Sequence, residues 1–451
     1  MDGMSKSFPK DFIWGAASSA YQTEGSPLAD GGGRSVWDAF CAQEGRIADG
    51  GSGAVACDGY HRFEEDIALL AGMGLSAYRF STSWARIDPK GTGEWNQSGL
   101  EYYDRVVDCC LKYHVTPWMT LFHWETPQAL EDRGGWLERE TAEAFGRFAG
   151  MMAEHFKGRV QNYFTMNEPE IVLGMGYGNG LHAPGRQLPQ EQLFLCWKNL
   201  MLGQGIAAKA MRRADREAVV GLVSTGRLCY PQREEDDEAA RQETFALYDD
   251  DWTFSHNLVM DPAVLGFLNT SPGTKLHELA QTVTTEEWEV IHSQPDIIGL
   301  NVYNGHQVRA VEGRAEYVSR YQGFPRTALK WPVTPEIMNR SLGYIQQRYR
   351  KPMVITECGL SCNDKLFLDG GVHDPDRIDF LHRYLRELRE GLEGSDVRGF
   401  FHWSLTDNFE WHSGYGERFG LVYVDYPSQR RVLKDSARWY ARVAATNGAE
   451  L

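Results

Sequence analysis

Short apolar runs alternate along this chain with longer segments that have a helical pattern of apolar residues. The runs are rich in β-branched and aromatic residues, which favour strands, and they fall near residues 12–17, 77–82, 116–122, 160–166, 219–224, 296–302, 353–357 and 398–404. The helical segments fall at about 60–72, 98–113, 138–155, 190–213, 236–256, 335–349, 376–391 and 434–446. Repeated strand–helix units predict an α/β protein with a parallel sheet.

Eight such strands are the number that closes a (β/α)8 TIM barrel, and we expect residues 1–451 to form one such catalytic domain. The longest connections, at about 25–57, 257–295 and 303–334, are expected to be extended βα loops that form the walls of a cleft. A short helix is expected at 285–292 within the second of them. A doubly wound sheet is the alternative, but no GxGxxG phosphate-binding turn follows the first strand.

Unusual polar and aromatic residues recur where the predicted strands end. A barrel enzyme places its chemistry at the C-terminal ends of its strands, and solvent exposure alone would favour Lys, Ser and Asp there. The chain instead places at or near these ends the residues Gln22, Arg79, His123, Trp124, Asn167, Glu168, Asn301, Tyr303, Glu357 and Trp403. We expect these side chains to surround one site.

Two of these residues, Glu168 and Glu357, are carboxylates at the ends of separate strands. Pro169 cannot donate to a strand ladder and biases the preceding residue toward an extended conformation, so the strand before Glu168 is expected to stop there. A pair of carboxylates is what glycoside hydrolysis requires: one donates a proton to the leaving oxygen and the other attacks or stabilises the sugar cation. Taken alone, both residues could equally be polar caps after strands.

Composition narrows the range of partners. The chain has 62 acidic and 46 basic residues, a net charge of −16, which argues against binding to nucleic acid or anionic membranes. We find no membrane-length apolar run and no signal-peptide core at the start. The eight cysteines show no CxxC pair or zinc spacing, so reduced thiols and a cytoplasmic location are expected.

Two acidic runs, 234–238 and 249–251, raise the question of a metal site. We interpret both as lying on a polar helix face, where solvation and the charge of helix N-termini explain them. Neither a metal nor a cofactor is expected.

The chain resembles family 1 glycoside hydrolases, the β-glucosidase family, over nearly its whole length. The resemblance starts with the segment FPKDFIWGAASSAYQTEG at residues 8–25 and ends with Lys434-Asp435-Ser436. Its most specific stretch is WSLTDNFEW at 403–411, followed by Gly414-Tyr415 and RFGL at 418–421. The resemblance implies a retaining β-glycosidase that cleaves terminal non-reducing β-D-glucosyl, and also galactosyl or fucosyl, residues through a covalent glycosyl-enzyme.

The resemblance also implies roles for individual residues. Glu168, in an Asn-Glu-Pro motif, would be the acid/base and Glu357 the nucleophile, with Arg79, Tyr303 and Asn301 supporting them. The sugar-binding residues would be Gln22, His123, Trp124, Asn167, Trp403, Glu410 and Trp411. Trp331 resembles an aromatic platform for the leaving group, although a Trp before a Pro can also simply anchor a loop.

Two residues depart from the family pattern. Cys358 replaces the Asn that usually follows the nucleophile, and we expect like charge from Glu357 to disfavour its thiolate. Glu170 stands where relatives often carry an aromatic residue that can stack on the leaving group, so the leaving-group site is open to question.

Other functions compete with the β-glucosidase interpretation. A 6-phospho-β-glycosidase is the nearest, a transglycosylase shares the first chemical step, and a non-catalytic sugar-binding barrel would typically have lost one carboxylate. The expected partner is a small β-glycoside or disaccharide, and a homo-oligomer is possible.

Overall fold

In a computed structural model, which describes residues 7–451, eight parallel strands close into a barrel. The barrel order is β1, β11, β10, β7, β5, β4, β3 and β2. The strands, in chain order, are β1 Ile13–Ala17, β2 Ala77–Ser81, β3 Thr116–Phe122, β4 Asn162–Asn167, β5 Val219–Ser224, β6 Cys229–Pro231, β7 Ile297–Asn301, β8 His306–Val311, β9 Arg314–Tyr317, β10 Met353–Cys358, β11 Val397–Trp403, β12 Val422–Asp425 and β13 Arg430–Leu433. The (β/α)8 barrel predicted from the sequence is confirmed, and the doubly wound alternative is excluded.

Helices fill the connections and cover the barrel. They are α1 Ala20–Thr23, α2 Val36–Cys41, α3 Gly59–Gly72, α4 Trp84–Ile87, α5 Gln97–Lys112, α6 Gln128–Glu131, α7 Arg139–His155, α8 Pro169–Ile171, α9 Gln190–Ala214, α10 Asp237–Thr244, α11 His256–Met260, α12 Lys275–Ala280, α13 Thr285–Ile291, α14 Arg340–Tyr349, α15 Pro375–Gly391 and α16 Asp435–Ala445. The short helix expected near 285–292 is present as α13.

The helix predicted over 236–256 is wrong in its second half. It ends at Thr244, and the chain continues irregularly until α11 begins at His256. The acidic run 249–251 therefore lies in a loop and not on a helix face. Asp249 accepts hydrogen bonds from the backbone of Lys275 and Leu276 at the start of α12, and Asp251 pairs with Arg227 at 2.5 Å. The positive charge of a helix N-terminus does stabilise the Asp249 carboxylate, but the helix is α12 and not the one predicted at 236–256.

Aromatic side chains fill the barrel interior. Trp118 from β3 lies between Phe164 from β4 and Phe401 from β11, with ring centroids 5.8 and 5.5 Å away. Gly221 of β5 makes room for this layer, because a Cβ there would lie 2.7 Å from the Phe164 ring. The interior is thus a packed core, and any cleft must lie above it.

The long connections differ from simple loops. The segment at 303–334 contains the antiparallel pair β8–β9, which extends a small sheet begun by β6. The segment at 257–295 holds α12 and α13, and the connection at 25–57 holds α2. None of the helices in the described part of the chain, from residue 7 onward, combines the length and apolar character of a membrane span.

Candidate active site

A cleft of about 580 Å³ opens at the C-terminal ends of the barrel strands. That volume is within the range of small-molecule sites and exceeds what one sugar ring fills. Of the residues predicted from the sequence, those that line it are His123, Trp124, Glu168, Asn301, Tyr303, Trp331, Glu357, Trp403, Glu410 and Trp411. The structure therefore brings most of the predicted site together.

The other three predicted residues lie directly behind the cleft wall. Arg79 and Asn167 are fully buried and bond to residues that line the cleft. Gln22 is also fully buried; its Nε2 donates to Asn408 Oδ1 and to the Phe409 carbonyl, and its Oε1 accepts from Ser19. Gln22 thus holds the backbone just before Glu410.

Arg79 and Asn301 link the two predicted catalytic carboxyls. Arg79 donates to Glu357 Oε1 and to Asn167 Oδ1, both at 2.6 Å. Asn301 Nδ2 donates to Glu168 Oε1 at 2.7 Å and to Asn167 Oδ1 at 3.1 Å. The carboxyls of Glu168 and Glu357 therefore occupy one continuous hydrogen-bonded network at the floor of the cleft.

The two carboxyls differ in their surroundings. Burial, reinforced by the negative charge of Glu357, raises the pKa of Glu168 well above its usual range. Burial also raises the pKa of Glu357, but the Arg79 guanidinium and hydrogen bonds from Tyr303 and Asn301 oppose that effect. Glu357 is therefore the carboxyl that ionises first, and Glu168 is the one that keeps a proton.

Three buried polar atoms of cleft residues, His123 Nδ1, His182 Nδ1 and Glu410 Oε2, have no hydrogen-bond partner among residues 7–451. Asn167 Nδ2 lies 3.2 Å from His123 Nε2, which makes that nitrogen an acceptor and places the ring proton on Nδ1. His123 Nδ1 and Glu410 Oε2 are both buried without a hydrogen-bond partner. Burial, together with the charges of Glu357 and Glu417, raises the pKa of Glu410 to about 8. Unpaired buried donors and acceptors favour a ligand rich in hydroxyl groups.

Aromatic rings frame these polar atoms. The Trp403 ring lies nearly parallel to the His123 ring, 5.9 Å away, and Trp124 and Trp411 pack against each other at 4.4 Å. Trp331 packs edge-on against Tyr303 at 5.2 Å. The Trp331 backbone also bonds to Thr327, so this residue both lines the cleft and anchors its loop.

Three cleft residues adopt a left-handed backbone. Their φ angles are +81° for Trp124, +46° for Glu168 and +49° for Trp411. A non-glycine residue in this region costs about 1–2 kcal/mol, so surrounding contacts must hold each one. The strained residues lie in the cleft, where they aim two rings and one carboxyl.

The mouth of the cleft is apolar, and sequence reasoning missed most of it. We call Ile171, Met175, Phe254 and Leu329 the mouth residues: all four line the cleft, and each is half-buried or exposed. Phe254 is 43% exposed, whereas Glu168 is 6% and Glu357 is 4% exposed. Ile171 ends α8 and Met175 lies in the π-helical turn that follows it, whereas Phe254 and Leu329 lie in irregular segments; no sequence periodicity predicts these positions. Leu329 falls in the βα loop predicted at 303–334, but Phe254 falls inside the helix predicted at 236–256, so no sequence signal indicated its place in the cleft.

The two departures from the family pattern both lie outside the cleft. Glu170 is 1% exposed and bonds to Ser224 behind the cleft wall, so it does not occupy a leaving-group position. Cys358 is fully buried and influences the pKa of Tyr384 and Tyr440 on the covering helices. Burial raises the pKa of the Cys358 thiol well above its usual range, so burial replaces the like-charge explanation expected from the sequence.

Comparison with known proteins agrees with this geometry. The family model for glycosyl hydrolase family 1 matches residues 4–449. Beta-glucosidase A of Thermotoga maritima is 38% identical, over 99% of this chain and 99% of that protein. The bifunctional beta-D-glucosidase/beta-D-fucosidase of Bifidobacterium breve is 37% identical, over 99% of this chain and 100% of that protein.

A solved structure extends the comparison to three dimensions. The beta-glucosidase from Thermotoga maritima in complex with glucoimidazole superposes with a TM-score of 0.88 and 37% identity, and covers 98% of this chain and 100% of that one. On the full-length match to the family model and these relatives, the chain belongs to glycosyl hydrolase family 1.

Proposed function

We propose that this protein is a retaining β-glucosidase that hydrolyses terminal, non-reducing β-D-glucosyl residues. The observation that supports it most is the pair of buried carboxyls, Glu168 and Glu357, whose environments favour protonation of the first over the second. The names of the relatives, beta-glucosidase and beta-D-fucosidase, support glucosides first and fucosides second. Galactosides are expected to be cleaved as well, more slowly.

In the proposed mechanism, Glu357 attacks the anomeric carbon while Glu168 protonates the leaving oxygen. This forms the Glu357–sugar bond, breaks the glycosidic bond and releases the leaving group as an alcohol or phenol. Glu168, now ionised, takes a proton from water, and the resulting hydroxide equivalent displaces Glu357. A retaining enzyme of this kind has its carboxyls about 5 Å apart.

The supporting residues have separate proposed tasks. Arg79 and Tyr303 orient and stabilise the Glu357 carboxylate, and Asn301 orients Glu168. His123 Nδ1 and Glu410 Oε2 would bond sugar hydroxyls, because neither atom has a partner among the residues that the structure describes. The rest of the proposed sugar site is formed by Trp403 as its floor, with Gln22, Trp124, Asn167 and Trp411 around it, and Trp331 beside the leaving group.

A 6-phospho-β-glycosidase would need a cation to receive the phosphate. Among the residues that line the cleft in the described part of the chain, Arg227 is the only Arg or Lys. Its guanidinium is already paired with Asp251 at 2.5 Å and lies 3.6 Å from Glu243. A phosphate dianion would therefore lose its water without gaining an unpaired counter-charge, which costs several kcal/mol.

A hydrolysis panel tests the proposal directly. The 4-nitrophenyl β-D-glucoside, galactoside and fucoside would be compared with the 6-phospho-β-D-glucoside, and proton NMR would follow the first product formed. We expect glucoside to be cleaved fastest and the β-anomer of glucose to appear before the α-anomer. An α-anomer appearing first, or faster cleavage of the phosphorylated substrate, would overturn the proposal.

We further propose that the chain is a single catalytic domain that works in the cytoplasm. One family model spans residues 4–449, which supports the first statement. All eight cysteines are free thiols, including the neighbours Cys109 and Cys110, which supports a reducing compartment. Homo-oligomerisation stays a prediction.

A further inference from the structure

Glu170 is a buried acid with no part in the mechanism proposed above. It follows Pro169 in the short helix α8, two residues after Glu168, the proposed proton donor, and it is 1% exposed. A carboxyl removed from water in this way is costly unless a hydrogen-bond partner holds it. The structure therefore raises the question of what this acid does.

Glu170 belongs to a buried chain of three polar side chains. Ser224 Oγ donates to Glu170 Oε1 and lies 3.0 Å from Nδ1 of His256. Ser224 and His256 are both fully buried. With the serine proton directed at the carboxyl, His256 Nδ1 is assigned as the donor to Ser224. Burial lowers the pKa of His256 to about 3, so the ring is neutral, and burial raises the pKa of Glu170 to about 8.

The hydrogen-bonded network of Glu170, Ser224 and His256 joins three elements behind the cleft. Glu170 lies just past the end of β4, Ser224 is the last residue of β5, and His256 is the first residue of α11. Neither Ser224 nor His256 lines the cleft. Any effect of the Glu170–Ser224–His256 network on the substrate must therefore be indirect, through residues that do line the cleft.

Glu168 is the residue such a link would influence. Its backbone is left-handed, with φ +46°, and its amide donates to the carbonyl of Val223 at 3.0 Å. Val223 precedes Ser224 in β5, so the segment 168–170 is tied to the end of β5 at both of its ends. The Glu170–Ser224 bond thus adds to the contacts that oppose relaxation of the strained turn, which also include the Asn301 bond to Glu168 Oε1 and the Ile171 amide bond to the Glu168 carbonyl.

We propose that Glu170 and Ser224 are positioning residues that hold the turn at Glu168, so that its carboxyl points at the glycosidic oxygen. The inference rests on the proposed function, in which Glu168 protonates the leaving group. A displacement of about 1 Å at a catalytic group can cost about 10²-fold in rate. The loss should appear only where proton donation limits the reaction.

Leaving-group dependence distinguishes positioning from general structural damage. A 2,4-dinitrophenolate leaves as a stable anion without a proton, whereas a phenolate or an alkoxide benefits strongly from proton donation. For Ser224→Ala, we expect kcat/KM to fall about 10- to 100-fold with phenyl β-glucoside and by less than about threefold with 2,4-dinitrophenyl β-glucoside. Glu170→Gln retains the oxygen that accepts from Ser224, and it should stay near wild-type values with both substrates.

The matched control is Ser341→Ala. Ser341 is also fully buried and its Oγ donates to the Cys229 carbonyl at 2.8 Å, away from the cleft. Ser341→Ala should lower the stability of the protein without changing the ratio of the kcat/KM values for phenyl and 2,4-dinitrophenyl β-glucoside. Glu170→Met removes the acceptor by an independent route and keeps most of the side-chain volume, and it should show the same selective loss as Ser224→Ala.

The possible outcomes separate the two proposals. An equal fall with both glucosides, or no fall with either, in Ser224→Ala and Glu170→Met would overturn the positioning role and leave the glucosidase function standing. A wild-type protein inactive on both glucosides would instead overturn the proposed function. A selective loss with phenyl β-glucoside in Ser224→Ala and Glu170→Met, with Glu170→Gln near wild type, would support both proposals.

Discussion

The hydroxyl of Tyr303 lies 2.7 Å from Glu357 Oε2, on the opposite carboxylate oxygen from the one that Arg79 holds. Burial raises the pKa of Tyr303 well above its usual range, so this hydroxyl keeps its proton and stays a donor at neutral pH. A hydrogen bond to an ionised carboxylate favours the ionised form and lowers its pKa.

Tyr303→Phe should therefore move the acid limb of the pH–rate profile. Activity requires Glu357 ionised, so a higher Glu357 pKa shifts the rise in kcat/KM toward higher pH, by about one unit for a lost bond worth about 1.4 kcal/mol. The control is Tyr349→Phe, because Tyr349 bonds to the buried Asp261 at 2.9 Å outside the cleft. An unchanged acid limb in Tyr303→Phe would contradict the view that the acid limb reports the ionisation of Glu357 and that Tyr303 favours it.

Replacing each carboxyl should give opposite products with azide. Glu357→Gly should lower kcat by at least about 10³-fold, and azide should enter from the vacated face to give the α-glucosyl azide. Glu168→Ala keeps the nucleophile, so azide should attack the glycosyl-enzyme and give the β-glucosyl azide. Product stereochemistry by NMR checks both variants, and the same anomer from both would show that the roles are misassigned.

Glu410→Ser tests the sugar site. The buried Glu410 Oε2 has no partner in the described part of the chain, and a bond between it and a sugar hydroxyl should tighten in the transition state. Loss of a hydrogen bond that tightens in the transition state should lower kcat/KM on glucosides by a factor on the order of 10²–10³. Glu387→Ser, a half-buried acid of α15 bonded to Asn339, is the control and should change little.

Phe254 should influence the leaving group rather than the sugar. As one of the exposed mouth residues, it offers an apolar surface to an aryl group but little to a methyl group. Phe254→Ala should raise KM several-fold for 4-nitrophenyl β-glucoside, because about 1 kcal/mol of apolar contact is lost. The KM for methyl β-glucoside should be unchanged in Phe254→Ala. Phe267→Ala, which is 50% exposed outside the cleft, should affect neither substrate.

Cys358 should be an unreactive thiol although it follows the proposed nucleophile in sequence. It has no solvent exposure, and burial raises its pKa, so the thiolate that reacts with alkylating agents is scarce. Treatment with iodoacetamide should inactivate the wild type slowly. Protection of activity by Cys358→Ser would show instead that the thiol is accessible.

The barrel and most of the site were predictable because strand ends carry a strong signal. Runs of β-branched residues located the eight barrel strands, and residues such as His123 and Glu357 stood out at their ends. The helix predicted at 236–256 failed because residues 245–255 are held by long-range contacts, such as Arg227 with Asp251, that override local propensity.

Side-chain direction could not be predicted for residues in loops and turns. Glu170 is only two residues after Glu168 in the sequence, yet its side chain points away from the cleft toward Ser224 of β5 and His256 of α11. Phe254 is far from any predicted strand end, yet it lines the cleft. In both cases the position depends on left-handed or irregular backbone, which has no period to reveal it.

The aromatic layer of Trp118, Phe164 and Phe401 below the cleft limits how this enzyme could acquire new substrates. Shortening one of these rings to deepen the sugar pocket would leave a cavity and cost about 3–5 kcal/mol, a large share of the stability of a typical protein. The mouth residues are half-buried or exposed, and changing them should cost far less stability. Selection or engineering can thus change the leaving-group preference at little cost in stability, whereas the aromatic layer of the barrel fixes the depth of the sugar pocket.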